Sequence, residues 1–363
     1  MNKSLTLGFL LVFFSANTSA QLARKYANEF LEIGVDARGL AMGKSVIAST
    51  RGADAGYWNP AGLAKMESKY DASIMHAEYF GSIANFDYGS VAAAIDNTTT
   101  VGLTFIRFGV DDIMDTSLLQ DANGNVDYDR ITRFSAADYA LMFSLASASE
   151  RIEGLSYGAN VKMLYRSLGR YAKGYGFGFD VGTRYERGGW TYAAVIRDVT
   201  STFTAWDIRI DDDLAEVFQA TGNEMPDQTN EISLPTLVLG VGRELKFSDD
   251  FGMLAEVNAG FTFDGERNAL ISSSAGLSMY PSVGLEFDYR RFVFLRMGAG
   301  EFQRELGFNN AVRTAWMPSM GLGFDYRGIR VSYALTDIGS QGVAMYSNIF
   351  SLSASIGGKN TIF

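Results

Sequence analysis

The chain has 363 residues, with 41 acidic against 31 basic side chains, a formal net charge of −10, one histidine and no cysteine. The acidity excludes nucleic-acid binding, which needs a basic footprint, and the lack of cysteine excludes disulfides and a lipid-modified cysteine anchor. Thirty-nine glycines, 26 Phe and 18 Tyr against five prolines, with a mean hydropathy near zero, point to a large strand-rich fold with one apolar and one polar face.

Residues 1–20 read as a secretory leader: Lys3, an apolar stretch over 5–14, then small residues up to Ala20, where cleavage is expected. The apolar stretch falls short of the roughly 20 residues that a spanning helix needs, and no later segment reaches that length. Residues 21–66 follow a different rule from the rest. Ala23, Tyr26, Ala27, Phe30 and Leu31 recur at helical spacing. A glycine-punctuated run over 34–43 comes next, and then Tyr57-Trp58-Asn59-Pro60-Ala61-Gly62-Leu63. Pro60 fixes its own φ and biases Asn59 away from the helical region, so this pair makes a rigid turn.

Residues 67–363 repeat about ten alternating positions and a break. In the stretch 174–182, Tyr175, Phe177, Phe179 and Val181 share one face, and glycines with Asp180 share the other. In a soluble sandwich the greasy face meets a second sheet; in a membrane barrel it meets lipid. Candidate strands cover roughly 70–79, 85–95, 99–108, 134–147, 154–166, 174–187, 190–199, 233–246, 251–263, 282–290, 292–300, 316–326, 328–336 and 347–357. Tight connections at 96–98, 188–189, 246–250, 290–291 and 327–328 alternate with long ones at 109–133, 200–232, 263–281 and 301–315. Short turns on one rim and long loops on the other are how bacterial barrels are built, and a sandwich has no reason to sort its loops this way.

The polar face carries Lys162, Arg166, Asp180, Arg184, Glu186, Glu256, Glu286, Asp288, Arg296 and Asp325. Inside a barrel that face is the lumen. Both signs are present, so cross-strand pairs that pin an internal plug are expected rather than a one-sign ion filter, with a dedicated substrate path as the alternative. The irregular segment 21–66 cannot lie in lipid, where its backbone groups would be unpaired, but it can lie inside the lumen. The expected fold is therefore all-β: a 14-stranded antiparallel transmembrane β-barrel over 67–363, with an N-terminal lumenal hatch over 21–66.

The run 34–43, followed by Ala53-Asp54-Ala55-Gly56-Tyr57-Trp58-Asn59-Pro60-Ala61-Gly62-Leu63, resembles the N-terminal signature of the FadL-like barrels, most of all their PorV/PorQ branch in Bacteroidetes. The resemblance implies fourteen strands in the bacterial outer membrane, surrounded by its lipid, and a hatch whose motif is Asn59, Pro60, Ala61, Gly62 and Leu63. It also implies a non-enzymatic role in type IX protein secretion, which serves gliding motility too. The partners it implies are translocon or attachment-complex proteins and secreted substrates that carry a C-terminal sorting domain. The transporter branch shares the fold and moves hydrophobic compounds through a lateral opening. Charge, serine and glycine on the inward faces disfavour a long greasy tunnel. The long loops carry Ile113, Met114, Leu118, Leu119, Phe203, Trp206, Ile208, Leu214, Val217 and Phe218 among acids, either as partner contacts or as cover over the barrel mouth. A structural barrel that plugs another complex is a third reading.

Sharper chemistry finds little support. The run 121–129 has oxygen ligands at alternate positions, but Val126 and Thr132 stand where a calcium loop needs glycine and a bidentate glutamate. A hairpin turn at Asn123-Gly124 accounts for it. The Gly-x-Gly patterns sit inside strands and open no helix, so no phosphate loop follows. His76 is the sole histidine, and Ser73, three residues away on a strand, falls on the opposite face. No enzymatic activity, metal or cofactor is expected. Phe363 supplies the terminal aromatic common among inserted barrels, although residues 357–360 interrupt the alternation before it.

Overall fold

In the structure, a computed structural model, the described residues are 27–79, 81–117, 119, 125–210, 212, 215, 218, 219, 230–265, 267–273, 276–306, 312–336 and 347–358. The leader, Leu118, residues 121–124, Leu214, Val217 and Phe363 lie outside them.

Alternating side chains in consecutive antiparallel segments build one continuous wall. Its strands are β1 (Ser68–Tyr79), β2 (Ala84–Ala94), β3 (Thr99–Asp115), β4 (Thr132–Ala148), β5 (Leu155–Leu168), β6 (Ala172–Arg187) and β7 (Trp190–Arg197). Short strands β8 (Thr202–Ile208) and β9 (Asn230–Ser233) precede β10 (Thr236–Lys246) and β11 (Phe251–Thr262). A two-residue β12 (Ile271–Ser272) leads to β13 (Ser278–Tyr289), β14 (Val293–Leu306), β15 (Val312–Tyr326), β16 (Ile329–Thr336) and β17 (Ser347–Gly358). Setting aside β8, β9 and β12, the strands form a closed 14-stranded antiparallel barrel, sealed where β1 pairs β17 from Ser68↔Gly358 to Ala77↔Ile349. Every turn at one rim is short, from residues 95–98 to Arg327-Gly328, and the other rim carries the long connections.

Two wall strands differ from the sequence reading. The segment expected at 190–199 ends at Arg197, and that expected at 233–246 is interrupted at Leu234-Pro235. Asp198 and Ser201 adopt φ of 53° and 60°, and the chain steps aside before β8 resumes along the upper half of β6. β9 pairs β8, and Leu234-Pro235 divides it from β10, since proline has no N–H for the ladder. Residues 202–208 and 230–232, expected in a loop, are therefore strand, as are Ile113 and Met114 at the top of β3 beyond a bulge. In β8 Thr202 and Thr204 are buried while Phe203 is exposed, so the period of two persists there but over too few residues, and with too little apolar contrast, to mark a strand.

Large apolar side chains face outward along nearly the whole wall, among them Ile74, Tyr175, Phe177, Leu322, Phe324 and Phe350, all more than a third exposed. A contiguous belt of this kind suits lipid rather than water. Among the described residues no helix is long and apolar enough to cross a membrane; the strands are the elements with that reach. The core lies inside the barrel, where Val35, Leu40, Met42, Ile47, Trp58 and Leu63 are buried between residues 27–66 and the inward wall.

Candidate functional site: a lumenal hatch between two cavities

An irregular segment enclosed by a sheet must find partners for its backbone groups. Residues 27–66 hold only helical turns, and the wall supplies many of their hydrogen bonds. Glu256 accepts from the amides of Ala48 (2.7 Å) and Ser49 (3.0 Å), and Asp71 accepts from the amide of Ala53 (2.7 Å). Arg184 donates to the Thr50 carbonyl (2.7 Å), Asn160 to that of Gly56 (2.7 Å) and Ser319 to that of Ala41 (3.0 Å). Two internal caps fix the turns. Asp36 accepts from the amides of Arg38 and Gly39 at the start of the turn Ala37–Ala41. Asn59 accepts from the amide of Ala61, with Pro60 at the first position of the 3-10 turn Pro60–Lys65. The Asn59 amide then donates to the carbonyls of Ile47 (2.9 Å) and Thr183 (3.3 Å), so one buried side chain ties two parts of the hatch to β6.

Wall glycines let the hatch approach this closely. A Cβ on Gly284 would lie 2.7 Å from the Met42 carbonyl oxygen, and one on Gly240 would lie 2.6 Å from Ile47. Ion pairs fasten the same segment: Arg38 to Glu286 (2.9 Å), Lys44 to Glu301 (2.6 Å), Arg51 to Glu244 (3.0 Å) and Lys65 to Glu186 (3.2 Å). Glu286 lies between Arg38 of the hatch and buried Arg296 of β14, which also donates to Ser332. Glu301 reaches Lys44 from an irregularity in β14, where its own φ is 51°. Bulges of this kind re-aim a side chain.

The hatch separates two cavities. On the long-loop side a cavity of about 290 Å³ is floored by Tyr57 and Trp58 and walled by Leu234, Pro235, Phe261 and Tyr280. Arg197 lies over the Tyr57 ring at 5.2 Å and faces Glu32. On the short-turn side a vestibule of about 1200 Å³ is lined by charges of both signs, including Arg51, Glu244, Asp250, Asp288, Arg291 and Arg330. No described residue lines both.

The fold is similar to that of several solved barrels. A solved channel described as the CymD monoaromatic hydrocarbon channel superposes with a TM-score of 0.54 at 13% identity, covering 90% of this chain and 99% of its own. The Pseudomonas putida toluene transporter TodX gives 0.55 at 12% identity, with 89% and 99% covered. The Ralstonia pickettii toluene transporter TbuX gives 0.50 at 13%, with 89% and 98% covered. The fold is that of the FadL-like barrels. No protein-family model matches the chain, and no curated protein does either.

The residues singled out from sequence that lie among the described ones have these places. Asn59, Pro60, Ala61, Gly62 and Leu63 are all buried at the base of the hatch. Lys162, Asp180, Glu256, Glu286 and Arg296 are buried on the lumen side, and Arg166, Asp288 and Asp325 face the lumen while partly open. They do not meet in one site. Lys162 pairs Asp180 (2.8 Å) and Asp198 (2.5 Å), Arg166 pairs Asp138 and Glu231, and Asp325 pairs Arg330. Of the loop residues, Met114 and Phe203 are exposed, whereas Ile113, Leu119 and Phe218 are half-buried. Trp206 turns inward, against Gly174 and under the Arg166 guanidinium at 4.9 Å. It packs within the barrel mouth rather than offering a free contact.

Sequence reading missed the hatch ends of the ion pairs, Arg38, Lys44 and Arg51, and the wall residues Asp198, Asn258 and Glu301. Arg197 in β7 and Asn258 in β11 did carry a signal, since their parity puts both on the inward face. The outward face also holds a surprise. His76, Glu78, Asp87, Arg107 and Asp111 lie on the lipid side near the long-loop ends of β1–β3, with His76 at 2.7 Å and Arg107 at 3.5 Å from Asp87. Ser73 is buried in the lumen while His76 points out, as the strand period requires.

Proposed function

We propose that the chain is a non-enzymatic barrel of the bacterial outer membrane that takes up a compound with a hydrophobic body, which docks in the long-loop cavity above the hatch. The observation that carries this reading is the cavity itself, apolar and aromatic over most of its surface and seated directly on Tyr57 and Trp58. The fold likeness to a hydrocarbon channel and two toluene transporters supports it. The outward belt and the sorting of loops agree with an outer-membrane wall, short turns to the periplasm. Uptake of a labelled monoaromatic compound by cells with and without the chain tests the reading. Equal uptake, together with no binding by the purified barrel, would sink it.

A second reading, type IX secretion with translocon, attachment-complex or sorting-domain partners, draws support from the polar patch at His76, Asp87 and Arg107. Charged groups on the outward wall cost little near an interface, and a protein neighbour would also cover them. Recovery of the barrel from native membranes tests this, and isolation with none of those partners counts against it.

A further inference from the structure

We propose that Arg187 and Arg243, which bracket Trp190 on the outward wall, hold the headgroup phosphate of an anionic glycerophospholipid in the leaflet at the short-turn rim. The site goes beyond the uptake reading and does not depend on the cargo. Strand register carries it. Trp190 of β7 stands opposite Arg187 of β6 on one side and Arg243 of β10 on the other, and all three are exposed on the outward face. Directly opposed side chains lie about 5 Å apart at Cβ, so both long arginines reach a phosphate placed before the indole. The Arg243 guanidinium already lies over the Trp190 ring at 4.6 Å. Neither guanidinium has a carboxylate or hydrogen-bond partner among the described residues. Their chain neighbours Glu186 and Glu244 turn to the lumen side, where they pair Lys65 and Arg51.

Depth points the same way. On the outward face of β6, Tyr175 and Tyr185 enclose Phe177, Phe179, Val181 and Thr183. The steps from Tyr175 to Tyr185, at about 3.3 Å per residue and a tilt of about 40°, cover roughly 25 Å, the height of an apolar band between two aromatic girdles. Tyr175 continues through Tyr165 to Tyr139 as a row of adjoining rings at the long-loop end, and Tyr185 opposes Tyr192 at the other. Arg187 follows Tyr185 on the same face and so falls just outside the lower girdle, at headgroup level. The turn beside it is bare: a Cβ on Gly188 would meet nothing within 4 Å. A headgroup has room there, and each planar arginine fork offers phosphate two parallel N–H donors. Arg107, outward near the long-loop end, has no such freedom, because Asp87 and Asp111 hold it.

The test is native mass spectrometry of the purified full-length barrel in non-ionic detergent at pH 7, titrated with phosphatidylglycerol or with phosphatidylcholine of the same chains. The first phosphatidylglycerol is expected to bind about tenfold more tightly than phosphatidylcholine. Arg187→Ala combined with Arg243→Ala should abolish that preference; both side chains are exposed, so the barrel itself should stay folded. Arg290→Ala, at the same rim but tied to Asp250, should keep the preference. No preference in the unaltered chain, a preference that survives in the double variant, or an equal loss in Arg290→Ala would overturn the site and leave the uptake reading standing. Inorganic phosphate that displaced the lipid at equal concentration would make a soluble anion the ligand and overturn the lipid assignment.

Discussion

Gly158 of β5 lies directly against Pro60 of the hatch: a Cβ placed on Gly158 would sit 2.6 Å from the Pro60 carbonyl carbon and 2.8 Å from the Ala61 amide nitrogen. The obstacle is backbone on both counts, so neither side can yield by turning a side chain. Gly158→Val should cost the upper part of the overpacking range, about 1–3 kcal/mol, or push the hatch out of its seat. Limited proteolysis reads this as new cleavage within residues 34–63. Gly89→Ala is the control. That glycine faces outward with nothing within 4 Å of a new Cβ, and the protease pattern should not change.

Glu286 holds two arginines at once, Arg38 in the hatch and Arg296 in the wall. Glu286→Gln leaves two guanidinium groups facing each other without a counter-charge. Breaking a buried pair from one side costs about 3–5 kcal/mol. The temperature at which the barrel loses its compact, heat-modifiable form on a gel should fall accordingly. Arg290→Ala, which removes an exposed pair with Asp250 in a short turn, should leave that temperature where it was.

Asp54 answers to pH. It caps no amide, accepts from the Tyr88 hydroxyl (2.9 Å), and stands near Asp36 and Asp71. Burial first, and then the Asp36 charge, push its carboxyl up to about 7. Unfolded, it ionises near the ordinary aspartate value of about 4. The folded chain therefore binds the proton more tightly, and the stability this gives is complete below about 4 and lost as pH rises through 7. Unfolding temperatures should decline between pH 5 and 8, and Asp54→Asn should flatten that decline and gain most at pH 8. A slope unchanged in Asp54→Asn would refute the assignment.

Asn59 donates to Ile47 and Thr183 and accepts from Ala61 without any exposure to solvent. Asn59→Leu removes both donors and the cap while keeping similar bulk. It leaves two buried carbonyls and an amide unserved, at about 1–3 kcal/mol for each unsatisfied group. Hydrogen exchange should rise across residues 47–61, well before the strands exchange.

The wall was legible because its signal is local. Side-chain alternation in 174–182 or 320–326 needs only a period of two, and the sorted turns need only counting, so strand number and hatch followed from the chain alone. The short ribbon β8–β9 was not legible because its inward face shows only Thr202, Thr204 and Trp206, too short a run to display a period, which is why Phe203 and Trp206 read as loop. Pairing was not legible either. Arg38 and Glu286 are 248 residues apart, and nothing in a strand period says which acid the hatch will meet. The same holds for Asn258: parity puts it in the lumen, but only the packed hatch brings its amide to the Lys44 carbonyl. Periodicity fixes which face a residue takes. Which groups meet across the lumen is decided by long-range closure of the sheet around the segment it encloses.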